Sequence, residues 1–222
     1  MRRTCIPLGF ALLALVTGAP AGELTGRLSI RAPSPPKGQA DAGKYQSKRY
    51  KFARPIEYNR LTDFVIYLEG DFPEVPRKHA SLIQRDVAFH PHVLPIQKGT
   101  EVRWPNEDDI FHNVFSMSPT KTFNLGYYKT EPKTLLFEAP GRVDVFCAIH
   151  KDMHAIILIL DTPFFHMAKP NELFRFTDVP AGTYKLHAWH ERFPESVIEV
   201  IVPAVGTITQ HLSMGFDNLP EK

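Results

Sequence analysis

The chain has 222 residues, 26 basic and 24 acidic side chains, and a hydrophobic fraction of 43%. That apolar content supports a packed core and excludes a globally disordered chain, and the near-balance of charge supplies no basic field for nucleic acid or anionic lipid. Twenty prolines and thirteen glycines cut the apolar runs short, which favours many short strands over long helices.

The N-terminus reads as an export signal. Arg2 and Arg3 precede an apolar stretch from Ile6 to Val16, and Ala19-Pro20-Ala21 offers a small-residue cleavage site. The stretch is shorter than the roughly 20 residues that cross a bilayer, so residues 1–21 are expected to be a signal peptide. The alternative is a retained anchor. No other segment reads as a membrane span. Cleavage near Gly22 removes Arg2, Arg3 and Cys5, leaving 24 basic against 24 acidic residues and one cysteine, Cys147. In the oxidising periplasm a lone thiol has no internal disulfide partner. It is buried, paired with another chain, or held as a ligand.

From Gly22 onward the elements read as strands. Residues 24–31 (LTGRLSIR) alternate. Residues 32–62 form a long polar connection containing the basic stretch Lys44 to Arg54, read as a solvated loop or a patch for an acidic partner. DFVIYLE (63–69) is a strand, DVAFHPHVLPI (86–96) is strand broken by Pro91, and Lys98-Gly99 turns into TEVRWP (100–105). A polar loop, NEDDIF (106–111), leads to HNVFSM (112–117). FNLGYY (123–128) leads to a turn region. KTLLFEAPGRVDVFC (133–147) reads as a hairpin with its corner at Pro140-Gly141, and AIHKDM is a loop before the apolar strand HAIILIL (154–160). Four further strands follow: LFRFTDV (173–179), TYKLHAW (183–189), SVIEVIV (196–202) and TITQHLS (207–213). The expected class is all-β, with a boundary near 161–168: one unit over 22–161 (core 86–160, insertion 32–62) and a smaller β module over 162–222.

The chemistry concentrates in Cys147-Ala148-Ile149-His150-Lys151-Asp152-Met153, a thiol, an imidazole and a thioether spaced three and three on one loop between strands. His112, at the start of another strand, supplies a second imidazole. Two nitrogens, a thiolate and a weak axial thioether form the ligand set of a blue-copper electron-transfer site, soft enough for Cu(I) and suited through its imidazoles to Cu(II). Zinc fits less well, because structural zinc takes cysteine and histidine without methionine and catalytic zinc keeps an open position. Taken singly, a cysteine or methionine in a β protein is more often core filler. Their joint spacing on one loop is what points to a metal.

Residues 86–160 resemble a cupredoxin domain. Phe89 to Asn106 (FHPHVLPIQKGTEVRWPN), His112-Asn113-Val114-Phe115-Ser116, Phe123 with Gly126, Pro140-Gly141 and Cys147-x-x-His150-x-x-Met153 carry the likeness. The short ligand spacing is similar to amicyanin, and the whole chain resembles the methylamine-utilisation/plastocyanin-like group. The resemblance implies a cupredoxin-like Greek-key β-sandwich, one type 1 copper on His112, Cys147, His150 and Met153, and one-electron transfer with redox partner proteins. It assigns Asn113 the role of tying the two ligand-bearing loops together. The module over 162–222 resembles transthyretin-like or carboxypeptidase-regulatory-like β domains.

Other polar residues read more blandly. His90 and His92 flank Pro91 as solvated side chains, with a second metal site as the alternative. Strand alternation points His154 away from any metal that Met153 faces. His187, Trp189 and His190 suit packing with a hydrogen bond, and Glu107-Asp108-Asp109 reads as a solvated run. No hydrolytic motif is present, so the expectation is an electron carrier rather than an enzyme. A copper storage or delivery protein, and a β-sandwich interaction protein in which metal is incidental, are the other readings.

Overall fold

The computed structural model describes residues 20–31, 61–72 and 78–215. The apolar stretch of the expected signal peptide and nearly all of the 32–62 connection, with its basic patch, lie outside the described residues.

The described residues form an all-β fold. In chain order the strands begin with β1 (Ala21–Arg31), β2 (Phe64–Glu69), β3 (His79–Ser81), β4 (Ile83–Arg85), β5 (Ala88–His90) and β6 (Val93–Gln97). They continue with β7 (Thr100–Trp104), β8 (His112–Ser118), β9 (Lys121–Tyr128), β10 (Lys133–Phe137), β11 (Gly141–Cys147) and β12 (His154–Leu160). The last six are β13 (Phe165–Ala168), β14 (Leu173–Pro180), β15 (Gly182–Trp189), β16 (Ser196–Val202), β17 (Thr207–Thr209) and β18 (Leu212–Gly215).

Two sandwiches result. In the first, the five-stranded sheet β6-β12-β11-β8-β9 faces the sheet β10-β7-β3, with the β4-β5 pair alongside. Their inner faces share a core of Trp104, Phe137, Val114, Val143, Val145, Ile157, Cys147 and Met153. The hairpin expected over 133–147 does not form. β10 pairs with β7, whereas β11 pairs with β8 and β12, so Pro140-Gly141 carries the chain from one sheet to the other. A Pro-Gly corner marks a change of direction but not its destination. Here both flanking strands find better partners elsewhere, and Gly141 takes φ 136° where an added Cβ would press on the Thr120 hydroxyl.

The second sandwich has sheets β14-β1-β17, with β18 also on β1, and β13-β2-β15-β16. Residues 22–31 and 64–69, grouped by sequence with the first unit, therefore pair with strands of the 162–222 segment. The reason is burial. Leu24, Leu28, Phe64, Ile66 and Leu68 share one core with Phe174, Phe176, Leu186 and Val200, and the C-terminal strands without β1 and β2 would leave that face open. Gly26 of β1 has no room for a Cβ, which would collide with the Gln210 carbonyl and the Phe174 ring.

The two sandwiches meet through strands buried on both faces. In β12, Ala155, Ile157 and Ile159 enter the first core, while Ile156, Leu158 and Leu160 pack with Val65, Val93 and, at the margin, Tyr67, Phe165 and Trp189. The unbroken run HAIILIL has this cause: alternation disappears when neither face of a strand meets water.

Candidate metal centre

Cys147 ends β11, and His112 begins β8, the adjacent strand. Their pairing brings the thiol and the first imidazole to one end of the sheet. The loop after Cys147 then folds back, with the Met153 backbone N–H donating to the His150 carbonyl at 3.1 Å, which turns His150 toward the same point. Sγ of Cys147 lies 3.8 Å from His112 Nδ1 and 3.6 Å from His150 Nδ1, and the two Nδ1 atoms are 3.1 Å apart. Two imidazole nitrogens and a thiolate spread in a plane at 2.0–2.3 Å from one ion stand roughly 3.5–3.8 Å apart, so the donor triangle already has nearly the size a metal requires.

His112 is fully buried, Cys147 is 6% exposed, and Met153 is 1% exposed within the same core. His154, one residue on, is only partly buried and lies on the other side of the strand, as alternation predicts. Phe111 and Ile149, the residues just before His112 and His150, are exposed apolar side chains.

The acidic run before His112 is not uniformly solvated. Asp109 is exposed and pairs with Lys129, and Glu107 pairs with Arg85, but the Asp108 side chain is only 14% exposed. Its Oδ2 lies 2.9 Å from His112 Nε2, leaving Nδ1 for the thiol side. The same carboxylate accepts the backbone N–H groups of Asp86 (2.7 Å) and Val87 (3.1 Å). Those two residues turn β4 into β5 with φ 56° each, a conformation that glycine or asparagine normally supplies and a β-branched valine resists. Burial alone would raise the Asp108 carboxyl, but donors from Val87, His112 and Asp86 hold it below the usual range. Asp108 thus spends one carboxylate on two tasks, a strained turn and the tautomer of His112.

Backbone bonds fix the Asp108 loop: Gln84 N–H to the Pro105 carbonyl and Glu107 N–H to the Gln84 carbonyl, both near 2.9 Å. Asn113 Nδ2 donates to Asn124 Oδ1 at 2.7 Å, and that oxygen also accepts the Gly126 N–H, so this side-chain bond runs from β8 to β9. The cause is the β8–β9 pairing, which sets Asn113 opposite Tyr127 and close to Asn124.

No family model and no curated protein matches the chain. Among solved structures, a purple cupredoxin from Nitrosopumilus maritimus is similar at 24% identity over 36% of this chain and 99% of its own, with a TM-score of 0.34. A Cu-containing nitrite reductase (NirK) from Thermus scotoductus SA-01 is similar at 24% identity over 41% of this chain and 24% of its own, with a TM-score of 0.36. A reduced Cu(I) form of amicyanin is similar at 19% identity over 43% of this chain and 98% of its own, with a TM-score of 0.35.

Proposed function

We propose that this chain is an exported periplasmic type 1 copper protein that passes single electrons. The observation that carries the proposal is the closed triangle of His112 Nδ1, Cys147 Sγ and His150 Nδ1, with edges of 3.1, 3.6 and 3.8 Å, at the edge of a β-sandwich core. His112, Cys147 and His150 would hold copper, with Met153 as the axial thioether. The ion would supply a one-electron Cu(I)/Cu(II) couple, and the protein's part is to keep the donors in place in both states. Burial of His112 and Met153 excludes water, and the Asp108 bond keeps the His112 ring from turning. His150, half-buried beside exposed Phe111 and Ile149, is the entry point for electrons, and that apolar rim is the docking surface for a redox partner. With four protein ligands there is no open position for substrate, so the role is carrier rather than enzyme.

The test is an optical and EPR titration with Cu(II) of the chain from Gly22, beside Cys147→Ser. An intense visible thiolate-to-copper band with narrow hyperfine splitting, lost in the variant and reversibly bleached by reductant, is expected. A colourless protein overturns the proposal. A coloured site that surrenders copper rapidly to a chelator and does not cycle supports copper delivery instead.

A further inference from the structure

On the other face of the same sheet, a second donor cluster brings the two sandwiches together. His92, in the connection from β5 to β6, His154, the first residue of β12, and Glu191, just after β15, place one ligand atom each within 4.8 Å of one another. His92 Nε2 lies 3.5 Å from Glu191 Oε2, and the two imidazole centroids are 5.4 Å apart, edge to face.

Each imidazole is held from behind through its other nitrogen. His92 Nδ1 is 3.2 Å from the His154 carbonyl oxygen, to which it donates, and Nε2 faces Glu191. His154 Nε2 is 2.9 Å from Asp144 Oδ1, which leaves Nδ1 as the nitrogen Asp144 does not hold, and the ring stacks on Phe146 at 5.0 Å. A metal-binding histidine is oriented in this way, by a carbonyl or carboxylate on the far nitrogen. The backbone is anchored too, since the Ile156 N–H donates to the His92 carbonyl at 2.8 Å. Glu191 keeps one oxygen toward Arg192, at 3.4 Å, and the other toward the imidazoles.

A third histidine, in the second sandwich, is more deeply enclosed. His187 is 6% exposed, stacks on Tyr67, and has both ring nitrogens facing carboxylates, Glu195 at 3.1 Å and Glu69 at 3.0 Å, the latter off the line of a hydrogen bond.

The geometry points to a second metal site at His92, His154 and Glu191 for a borderline divalent cation of the Zn(II) or Cu(II) class. Two imidazoles and one carboxylate, without a soft donor, suit such ions and leave a fourth position to water. Tetrahedral donors at 2.0–2.2 Å from an ion stand roughly 3.3–3.5 Å apart. The His92–Glu191 separation of 3.5 Å meets that already, and the His154 ligand atom lies within 4.8 Å of both. Glu191 belongs to the second sandwich and both histidines to the first, so the ion clamps one to the other.

The test is a Zn(II) titration by calorimetry on the chain from Gly22 carrying Cys147→Ser, which removes the thiolate from the other cluster. One equivalent is expected to bind, with affinity lowered more than about tenfold by His92→Gln or by Glu191→Gln and unchanged by His150→Gln. Glu191→Gln is nearly isosteric on a partly exposed turn and preserves the fold. Absence of zinc binding, or binding weakened by His150→Gln but not by His92→Gln and Glu191→Gln, overturns the site. None of these outcomes depends on copper binding at the first cluster.

Discussion

The two histidine clusters lie back to back across one sheet, and their differences follow from which face each occupies. On the inner face, Cys147 and Met153 sit in the first core beside fully buried His112, a soft and water-poor donor set. On the outer face, His154 meets half-buried His92 of the same sandwich and Glu191 of the other, a harder, wetter set. Adjacent residues, 146 with 147 and 153 with 154, thus serve opposite chemistries because strand neighbours point to opposite faces. Each cluster also has a carboxylate that holds one imidazole from behind: Asp108 for His112 and Asp144 for His154. A soft site needs a closed core, whereas a hard one forms at a seam between two bodies.

The largest expected effect separates the clusters outright. Cys147→Ser should abolish the visible copper band while leaving zinc binding at His92, His154 and Glu191 intact. Loss of both would mean the clusters are one unit.

Next in size is a packing contrast along β12. Ile157→Ala opens the first core and should cost about 2–5 kcal/mol of stability by chemical denaturation, in the range for buried isoleucine truncations. Ile156→Ala opens the seam instead. It should weaken zinc binding at the outer cluster more than it alters the copper spectrum. An altered copper spectrum with unchanged zinc affinity would break the assignment of faces.

Removing the supporting carboxylates should act on each site separately. Asp108→Ala is expected to lower copper affinity about 10–100-fold, and Asp144→Ala to lower zinc affinity by a similar factor, each measured by chelator competition. Asp108→Asn should retain more affinity than Asp108→Ala, because an amide oxygen can still accept from His112. Equal losses from Asp108→Ala at both sites would show a general loosening rather than a local anchor.

The smallest effect concerns the network around His187. Burial raises the Glu195 carboxyl, but hydrogen bonds from His187 and Tyr67 outweigh it and hold the group below its ordinary value of 4.5. A depressed carboxylate contributes stability that is fully present above its unfolded pKa and is lost as pH falls through the folded one. Thermal denaturation of the metal-free protein should therefore show a stability loss on acidification that Glu195→Gln makes shallower. An identical pH profile in the variant would remove this network from the account.

The first cluster was legible because three of its expected ligands sit within seven residues, and a loop between strands has few ways to present them. The second was not, because its members are spread from residue 92 to 191 and each reads singly as an ordinary polar histidine or glutamate. Asp108 was hidden for a related reason. Three consecutive acids look solvated until one is drawn under a strained turn.

By itself the sequence placed most of the strands, because period-two patterning and Pro/Gly punctuation are local properties, and it supplied the residue types from which the proposed soft donor set is drawn. It also placed the doubly buried β12, through an apolar run with no polar face. Partnership was decided only by the tertiary structure: that β10 and β11 part at Pro140-Gly141, that β1 and β2 complete the C-terminal sandwich, and that His92 and Glu191 meet. Pairing depends on which faces most completely bury one another, and that competition is settled across the whole chain rather than within any one segment.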